Sequence, residues 1–221
     1  MSLLPDEPRT TADALHAMVV ELAAMAQNGL VYATDRYDLA RYNRLQGLTA
    51  ELLALIGQVD PDEAREALAA EAGHATPKVD VRGALFDARD RVLLVQEARD
   101  GRWTLPGGWA DALDAPTAAC EREFAEEAGL SVRVRRLAAV HDGSLRNAHA
   151  GSPWHVYKLL FLVEQTDPTQ HPVAGLDEET TDVGYFLIDD LPPLSDRRTS
   201  RAQLEVLLAH HRDPALPADV D

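Results

Sequence analysis

The fold of this chain is decided by the stretch from residue 107 to residue 130, GGWADALDAPTAACEREFAEEAGL. Its second half predicts a helix, in which three glutamates stand at positions i, i+3 and i+4: Glu123, Glu126 and Glu127. This spacing puts the three carboxylates on one helix face, where like charges cost about 0.2–0.5 kcal/mol per pair. Divalent metal ions bind oxygen ligands and relieve such repulsion. For three glutamates alone, a solvated acidic helix face is the alternative interpretation.

Two neighbouring features favour the metal-site interpretation. The pair Gly107-Gly108 lets the backbone approach a ligand closely, and the loop after it leads to the same helix face. Arg122 is the only basic residue of the predicted helix, and Glu126 lies four residues further on, within reach of a helical salt bridge. For Asp114 two interpretations stay open: it belongs to the carboxylate cluster, or it only caps the helix.

Hydrophobic spacing divides the chain near residue 74. Before that point the apolar residues follow a helical period and predict three helices. We expect the first to end at Gly29, the second at Gly57, and the third, capped by Asp60, to run to Gly73. Three short helices bury little surface, so they must pack against the rest of the chain or against a partner chain.

After the linker His74–Pro77 the hydrophobic period changes to that of strands. Strands are predicted at five places: 79–86, 92–95, 132–140, 155–163 and 183–188. Helices are predicted at about 116–128 and 198–211, and a loop at 101–115. Helices before, between and after short strands indicate an α/β layer structure. The predicted organisation is a helical domain, an α/β domain and a fraying tail: residues 1–74, 75–213 and 214–221.

Composition excludes several classes of function. The 221 residues include 37 acidic and 21 basic ones, a formal net charge of −16, which repels DNA, RNA and anionic membranes. It still allows a small phosphorylated substrate that arrives with a divalent cation. A single cysteine cannot form an internal disulfide, which favours the cytoplasm. We see no signal peptide and no apolar run approaching ~18 residues, and therefore expect no membrane span.

The stretch 107–130 resembles the Nudix box, G-x5-E-x7-R-E-U-x-E-E-x-G-U, where U is aliphatic or bulky. Gly108 takes the first position, and Asp114 stands where the first glutamate belongs, the one departure. The remaining matches are Arg122, Glu123, Phe124, Glu126, Glu127, Gly129 and Leu130. Other segments resemble a bacterial Nudix subfamily with an added helical domain: 77–82, 103–111, 155–161, 29–32, 35–38 and 41–45.

The resemblance implies a Nudix α/β/α sandwich with a mixed β-sheet, preceded by a small all-helical N-terminal domain. It implies Mg²⁺-dependent hydrolysis, with Mn²⁺ as a substitute, of the diphosphate bridge in a nucleoside diphosphate linked to another group. The products are a nucleoside monophosphate and a phosphorylated partner; CDP-choline is the first candidate substrate and ADP-ribose the second. It also implies a homodimer in which the helical domain reaches across to the partner.

Two other functions are weighed beside this one. A non-catalytic Nudix-fold nucleotide sensor is disfavoured because the charged residues of the box persist. A pyrophosphohydrolase that cleanses the nucleoside triphosphate pool is the second alternative.

The resemblance also assigns roles to residues. Glu123, Glu126 and Glu127 would hold the metal, with the Gly107 carbonyl as an additional ligand, and Arg122 would orient a glutamate. The catalytic base is expected outside the box, in the loop 175–182. Glu179 is the first choice and Glu178 the second, while a solvated acidic loop is the alternative.

Three further residues are candidates for substrate binding. Arg82 and Lys158 lie within strand patterns, where a charged side chain contacts phosphate or is ion-paired. Trp109, directly after the two glycines, stacks on a nucleobase or only packs.

Overall fold

The structure is a computed structural model that describes residues 11–57, 59–143, 154–174 and 178–221. It divides into two compact units. One contains the described residues up to Lys78 together with 143 and 154–156, and the other contains 79–142 and the described residues from 157 onward.

The first unit contains the three predicted helices, α1 (Thr11–Tyr32), α2 (Arg36–Gly57) and α3 (Pro61–Ala70). They share a small apolar core: Val19, Ala23, Ala50, Leu53, Ala64 and Leu68. The predicted cap of α3 is confirmed, because the Asp60 carboxylate accepts hydrogen bonds from the backbone N–H groups of Asp62 and Glu63. The helix ends three residues before Gly73, its predicted end.

Gly29 does not end α1, as the sequence predicted, but lies inside it. A Cβ atom at Gly29 would lie 2.2 Å from Cδ1 of the Tyr42 ring in α2. The glycine is therefore needed for close approach of the two helices. The prediction was wrong because a glycine that admits a neighbouring ring and a glycine that ends a helix look alike in sequence.

One helix differs from the expectation about apolar stretches. An 18-residue window of α1 has a mean hydropathy of 1.3, which by length and composition alone is enough to cross a membrane. The sequence prediction was based on uninterrupted apolar runs. Helix α1 reaches this mean hydropathy without such a run, because Ala, Val, Leu and Met predominate between its polar residues. A mostly buried core helix of a soluble protein and a signal sequence pass the same test, and 22% of this window is buried.

The second unit contains eight strands and two helices among the residues described. Its strands are β1 (Lys78–Ala84), β2 (Val92–Glu97), β3 (Trp103–Thr104), β4 (Gly107–Trp109), β5 (Val132–Asp142), β6 (Val156–Gln165), β7 (Thr180–Phe186) and β8 (Asp219–Val220). Its helices are α4 (Pro116–Ala128) and α5 (Arg201–Arg212). The two short strands β3 and β4 lie in what was predicted as the loop 101–115.

The strands form two sheets, ordered β4-β1-β6-β5-β8 and β3-β2-β7. The first is mixed, since β5 pairs antiparallel with β6 and parallel with β8. Alternate residues of β2 face opposite sides: Leu93 and Val95 belong to a core shared with α4, and Val92 and Leu94 to a core shared with α5. Helices thus cover both faces of the sheets, and the predicted α/β/α sandwich is confirmed.

The predicted fraying tail is replaced by an ordered strand. β8 pairs with Ala139 and Val140 of β5, and the fully buried carboxylate of Asp219 lies 3.0 Å from Nε2 of His141. This strand could not be predicted from the sequence, because two residues are too few to show a hydrophobic period.

Candidate active site

Helix α4 carries the glutamates, and its ends are fixed by local sequence. Pro116 occupies the first helical turn, and Gly129 ends the helix in the left-handed region at φ 64°, its N–H donating to the Phe124 carbonyl. The N-cap residue is Ala115, which makes no side-chain capping bond. The capping interpretation of Asp114 is therefore wrong, and its carboxylate instead lies 3.5 Å from Nη2 of Arg122.

The two faces of α4 differ sharply in polarity. Cys120 and Phe124 are fully buried against the sheet, as their four-residue spacing predicts. A Cβ atom on Gly83 of β1 would lie 2.4 Å from the Phe124 ring, so the helix sits directly on the strand. This packing directs the remaining face of α4 toward β4.

Gly107 of β4 adopts φ +140°, where a side chain is strained, and a Cβ there would lie 2.0 Å from the Val81 carbonyl oxygen. Hydrogen bonds from Gly83 N–H to the Pro106 carbonyl and from Ala110 N–H to the Val79 carbonyl set the ladder between β1 and β4. By the alternation of antiparallel pairs, the N–H and C=O groups of Gly107 point away from β1. The N–H donates to Oε2 of Glu127 at 2.8 Å, so the predicted ligand carbonyl lies on the same edge.

Glu127 is 5% exposed, and burial raises the pKa of its carboxyl group to about 8, against the opposing effects of Arg82 and the Gly107 N–H. Burial also raises the pKa of Glu123. A Cβ atom on Gly108 would lie 3.2 Å from Oε2 of Glu123, which places that carboxylate over the glycine pair. Two carboxylates therefore meet the Gly107-Gly108 backbone in a poorly solvated place.

Arg122 forms ion pairs with several carboxylates of this segment. Its Nη1 lies 2.8 Å from Oε2 of Glu126, the predicted pair, and 3.0 Å from Oε1 of Glu123. Its Nη2 lies 3.7 Å from Asp111. Within the described ranges no three His, Cys, Asp or Glu side chains are grouped as a metal centre; Arg122 is the cation that neutralises these carboxylates.

The donor set nevertheless fits a divalent ion that prefers oxygen. Carboxylates and a peptide carbonyl are the ligands of Mg²⁺, and a buried, mutually repelling pair of glutamates is stabilised by a nearby cation. Glu123, Glu126, Glu127 and the Gly107 carbonyl are the residues that would hold it, as the sequence predicted.

The two predicted phosphate-binding cations are both buried in ion pairs. Nε of Arg82 lies 2.9 Å from Oδ1 of Asp80, and its Nη1 donates to the Leu105 carbonyl at 3.0 Å. Nζ of Lys158 lies 3.4 Å from Oδ2 of Asp80 and donates to the backbone carbonyls of Arg197 and Arg198. Burial lowers the pKa of Lys158 to about 8. This environment matches the ion-paired alternative, and phosphate contact by either residue stays a prediction.

Trp109 and Glu179 lie at the surface. Trp109 ends β4 with 52% of its area exposed, which leaves its ring open to a ligand. Glu179 precedes β7, and its carbonyl accepts a hydrogen bond from Ala98 N–H directly after β2. Burial raises the pKa of Glu97, and the nearby carboxylate of Glu179 adds a small contribution in the same direction. Of the predicted catalytic loop 175–182, residues 175–177 lie outside the described part.

Two charged residues near this site were missed by the sequence reasoning, Glu97 and Arg198. Glu97 ends β2 and is buried, and its Oε1 lies 3.1 Å from Nε of Arg198. Its carboxylate also raises the pKa of Glu127. A glutamate two residues after the apolar run Val92–Val95 was a usable signal for Glu97, whereas nothing local marks Arg198.

The raised pKa of Glu127 predicts how stability changes with pH in the metal-free protein. The folded state retains a proton that the unfolded state releases, from the ordinary value of 4.5 up to about 8. The contribution of Glu127 is therefore fully present below that ordinary value, and the free energy of unfolding falls as the pH rises through this window. We expect Glu127→Gln to lose less stability than the wild type between about pH 5 and pH 8.

Urea denaturation at both pH values with a chelator present measures this difference. Glu97 and Glu123 shift in the same direction, so the prediction concerns only the difference between the two proteins. Equal losses of stability in wild type and variant would show that Glu127 titrates normally.

Known proteins share this arrangement. Sheets covered by helices on both faces, with a glutamate-bearing helix against a glycine pair, define the Nudix hydrolase fold and site. A NUDIX domain model matches residues 76–207, and a model described as a UDP-X-like, N-terminal oligomerisation domain matches residues 13–68. The chain belongs to the Nudix family, and it is a Nudix pyrophosphohydrolase, a class of enzyme that generally uses divalent metal ions.

Two of three similar proteins span most of the chain, and the third covers two thirds of it. The Bacillus subtilis protein YjhB, provisionally named an ADP-ribose pyrophosphatase, is 37% identical over 193 residues, 87% of this chain and 90% of that protein. The crystal structure of a UDP-X diphosphatase, 27% identical, covers 96% of this chain and all of its own at a TM-score of 0.58. An ADP-ribose pyrophosphatase from Streptococcus suis, 35% identical, covers 66% of this chain and all of its own, also at 0.58.

Proposed function

We propose that this enzyme uses Mg²⁺ to hydrolyse the diphosphate bridge of a nucleoside diphosphate linked to a second group. The products are a nucleoside monophosphate and the phosphorylated second group. The observation that carries the proposal is the contact of the buried Glu127 carboxylate with Gly107, beside Glu123. An anionic cluster of this kind suits a compact diphosphate neutralised by a cation.

The bound ion would supply charge neutralisation on the bridging phosphates and activation of water. The chain's own residues then do the remaining work. Gly107 fixes the Glu127 carboxylate through its N–H, and Arg122 holds Glu126 and Glu123 in place. We assign proton removal from the attacking water to Glu179, because it is exposed beside the end of β2.

The choice of substrate is supported by similarity. Two of the similar proteins are named for ADP-ribose and one for UDP conjugates. We therefore place ADP-ribose first among the candidates and UDP conjugates beside it, with CDP-choline as the remaining conjugate. None of these three similar proteins is named for the alternative function, cleansing of the nucleoside triphosphate pool.

A product-resolved screen tests the proposal. Purified protein is assayed with ADP-ribose, UDP-glucose, CDP-choline and the common nucleoside triphosphates at saturating Mg²⁺, and products are separated by chromatography. We expect one conjugate to have a kcat/KM above that of every triphosphate and to release a nucleoside monophosphate. A triphosphate better by about tenfold, or about 1.4 kcal/mol of transition-state binding, would overturn the substrate class.

The same proposal includes a homodimer formed through the helical unit. Exposed apolar side chains follow one helical stripe on α1 and another on α2: Leu15, Met18 and Met25, and Leu48, Leu52 and Leu55. An apolar helix stripe that is exposed in the single chain indicates a face that a second copy of the chain covers. The match of residues 13–68 to an oligomerisation domain supports this interpretation.

Charges placed on these stripes are expected to separate the dimer. For the double variant Met25→Lys and Leu55→Lys we predict a halved mass in multi-angle light scattering at micromolar concentration, because each lysine would be buried without a partner. Val173→Lys is the control, since Val173 is about as exposed as Met25 (52% against 50%) but lies in the other unit. A wild-type protein that is already monomeric would refute the dimer.

A cytoplasmic location also belongs to the proposal. Its support is the lone cysteine, Cys120, a buried thiol whose pKa burial raises to about 12, which keeps it unreactive. Fractionation of cells that express the full chain tests the location, and recovery with the membranes would contradict it.

A further inference from the structure

Arg198 lies in the loop before α5, and its guanidinium is held by two side chains. Nε lies 3.1 Å from Oε1 of Glu97, and Nη1 donates to Oγ of Ser195 at 3.3 Å. The Arg198 side chain is 32% exposed. Its Nη2 has no hydrogen-bond partner among the residues that the structure describes, so one donor of the guanidinium is available to a ligand.

The backbone of this loop is anchored next to the glycine pair. The Lys158 ammonium donates to the carbonyls of Arg197 and Arg198, the former at 3.1 Å. Oγ1 of Thr199 accepts from the Leu105 N–H at 3.1 Å and lies 2.8 Å from Oγ1 of Thr104. Because Leu105 is only two residues before Gly107, these bonds fix Arg198 relative to β4.

The partner of Arg198 lies on the face of β2 that packs against α4. By strand alternation Glu97 shares the side of Leu93 and Val95, which belong to the core shared with α4. The Glu97 carboxylate is buried and interacts with Arg82 and Arg198. Thr180, which pairs with Glu97 in the sheet, donates its hydroxyl to the Glu127 carbonyl at 3.1 Å, so Arg198 is linked through Glu97 to the helix that carries the box.

The three cations of this cluster differ in what they can still bind. Arg82 is enclosed by Asp80 and the Leu105 carbonyl, and Lys158 by Asp80 and two backbone carbonyls. Arg198 is the one of the three with a large exposed fraction. A guanidinium held rigidly on one side and open on the other matches the geometry of phosphate oxygens.

We propose that Arg198 binds a phosphate of the substrate's diphosphate bridge, and that Glu97 is the positioning residue that orients its guanidinium. The role of the diphosphate as substrate rests on the proposed function, whereas binding of a diphosphate can be measured independently of it. Arg198 then supplies the phosphate contact that the sequence analysis assigned to Arg82 and Lys158.

The probe is methylenediphosphonate, a diphosphate analogue that carries no nucleobase and cannot be hydrolysed. Its Kd is measured by calorimetry at saturating Mg²⁺ for wild type, Arg198→Ala, Glu97→Gln and Arg197→Ala. The last is the matched control, since Arg197 is exposed one residue away and carries the same charge. We expect a Kd raised about tenfold or more in Arg198→Ala, a smaller rise in Glu97→Gln and less than about twofold in Arg197→Ala.

Kinetics on the best conjugate of the screen give the second readout. Arg198→Ala is expected to raise KM or lower kcat/KM, with partial recovery in Arg198→Lys, which restores the charge without the planar fork. If the alanine variant melts at a lower temperature, Arg198→Gln carries the same comparison while keeping a donor for Glu97.

The outcomes separate the two proposals. A Kd for Arg198→Ala equal to that of Arg197→Ala, or wild type that does not bind the probe, overturns the role of Arg198. A wild-type enzyme that hydrolyses no conjugate overturns the proposed function, while the Kd comparison still decides the role of Arg198.

Discussion

Replacing Glu127 by Gln is expected to lower kcat about a hundredfold or more, since a metal ligand contributes several kcal/mol to the transition state. The fold should remain intact, because glutamine has the same shape and its Oε1 still accepts the 2.8 Å hydrogen bond from Gly107 N–H. Glu126→Gln is expected to act in the same direction, with the added effect of weakening the pair with Arg122.

Glu121→Gln is the matched control on the same helix. Glu121 accepts a hydrogen bond from Val134 N–H, which glutamine can also accept, and it is not one of the carboxylates gathered near the glycine pair. We expect it to retain activity within about twofold. Turnover near the wild-type value in Glu127→Gln at saturating Mg²⁺, with circular dichroism unchanged, would exclude Glu127 as a metal ligand.

Gly107→Ala is expected to destabilise the enzyme by about 2 kcal/mol or more and to abolish most activity. The added Cβ would lie 2.0 Å from the Val81 carbonyl oxygen, which belongs to the rigid backbone of β1, and φ +140° strains any side chain. Moving β4 away from β1 would also displace the N–H group that holds Glu127. Urea denaturation and kcat measured on one preparation test both effects.

Gly108→Ala separates this steric effect from a general loss of flexibility. Its Cβ would lie 3.2 Å from the end of the Glu123 side chain, which can move, and Gly108 has no positive φ. We therefore expect a smaller loss of stability than in Gly107→Ala. Equal stability of the two variants would mean that the close approach to Val81 is not required.

Much of the catalytic segment could be predicted because its determinants are local. The spacing of Glu123, Glu126 and Glu127 and the left-handed Gly129 are properties of a few neighbouring residues, and α4 begins and ends where the sequence placed it. The strand β2 likewise follows from an apolar run, since both of its faces are buried. At these places the spacing of apolar and charged residues matches the period of the helix or strand that forms, so the spacing predicts the element.

Predictions failed where a residue's role depends on a distant neighbour. Gly29 lies inside a helix and not at its end, because it makes room for the Tyr42 ring, which the local sequence does not reveal. The two interpretations of Asp114 are separated only by the position of the N-cap, which is Ala115. The strand β8 exists only because β5 offers it a parallel partner.

The box, its carboxylates and the layered α/β fold follow from local sequence. The surroundings that make those carboxylates unusual follow only from the folded chain: the burial that raises the pKa of Glu127, the ion pairs that enclose Arg82 and Lys158, and the pairing of Glu97 with Arg198. Local periodicity shows only which way a side chain points from its own element. Which charges meet depends on how sheet register and an anchored loop bring distant segments together.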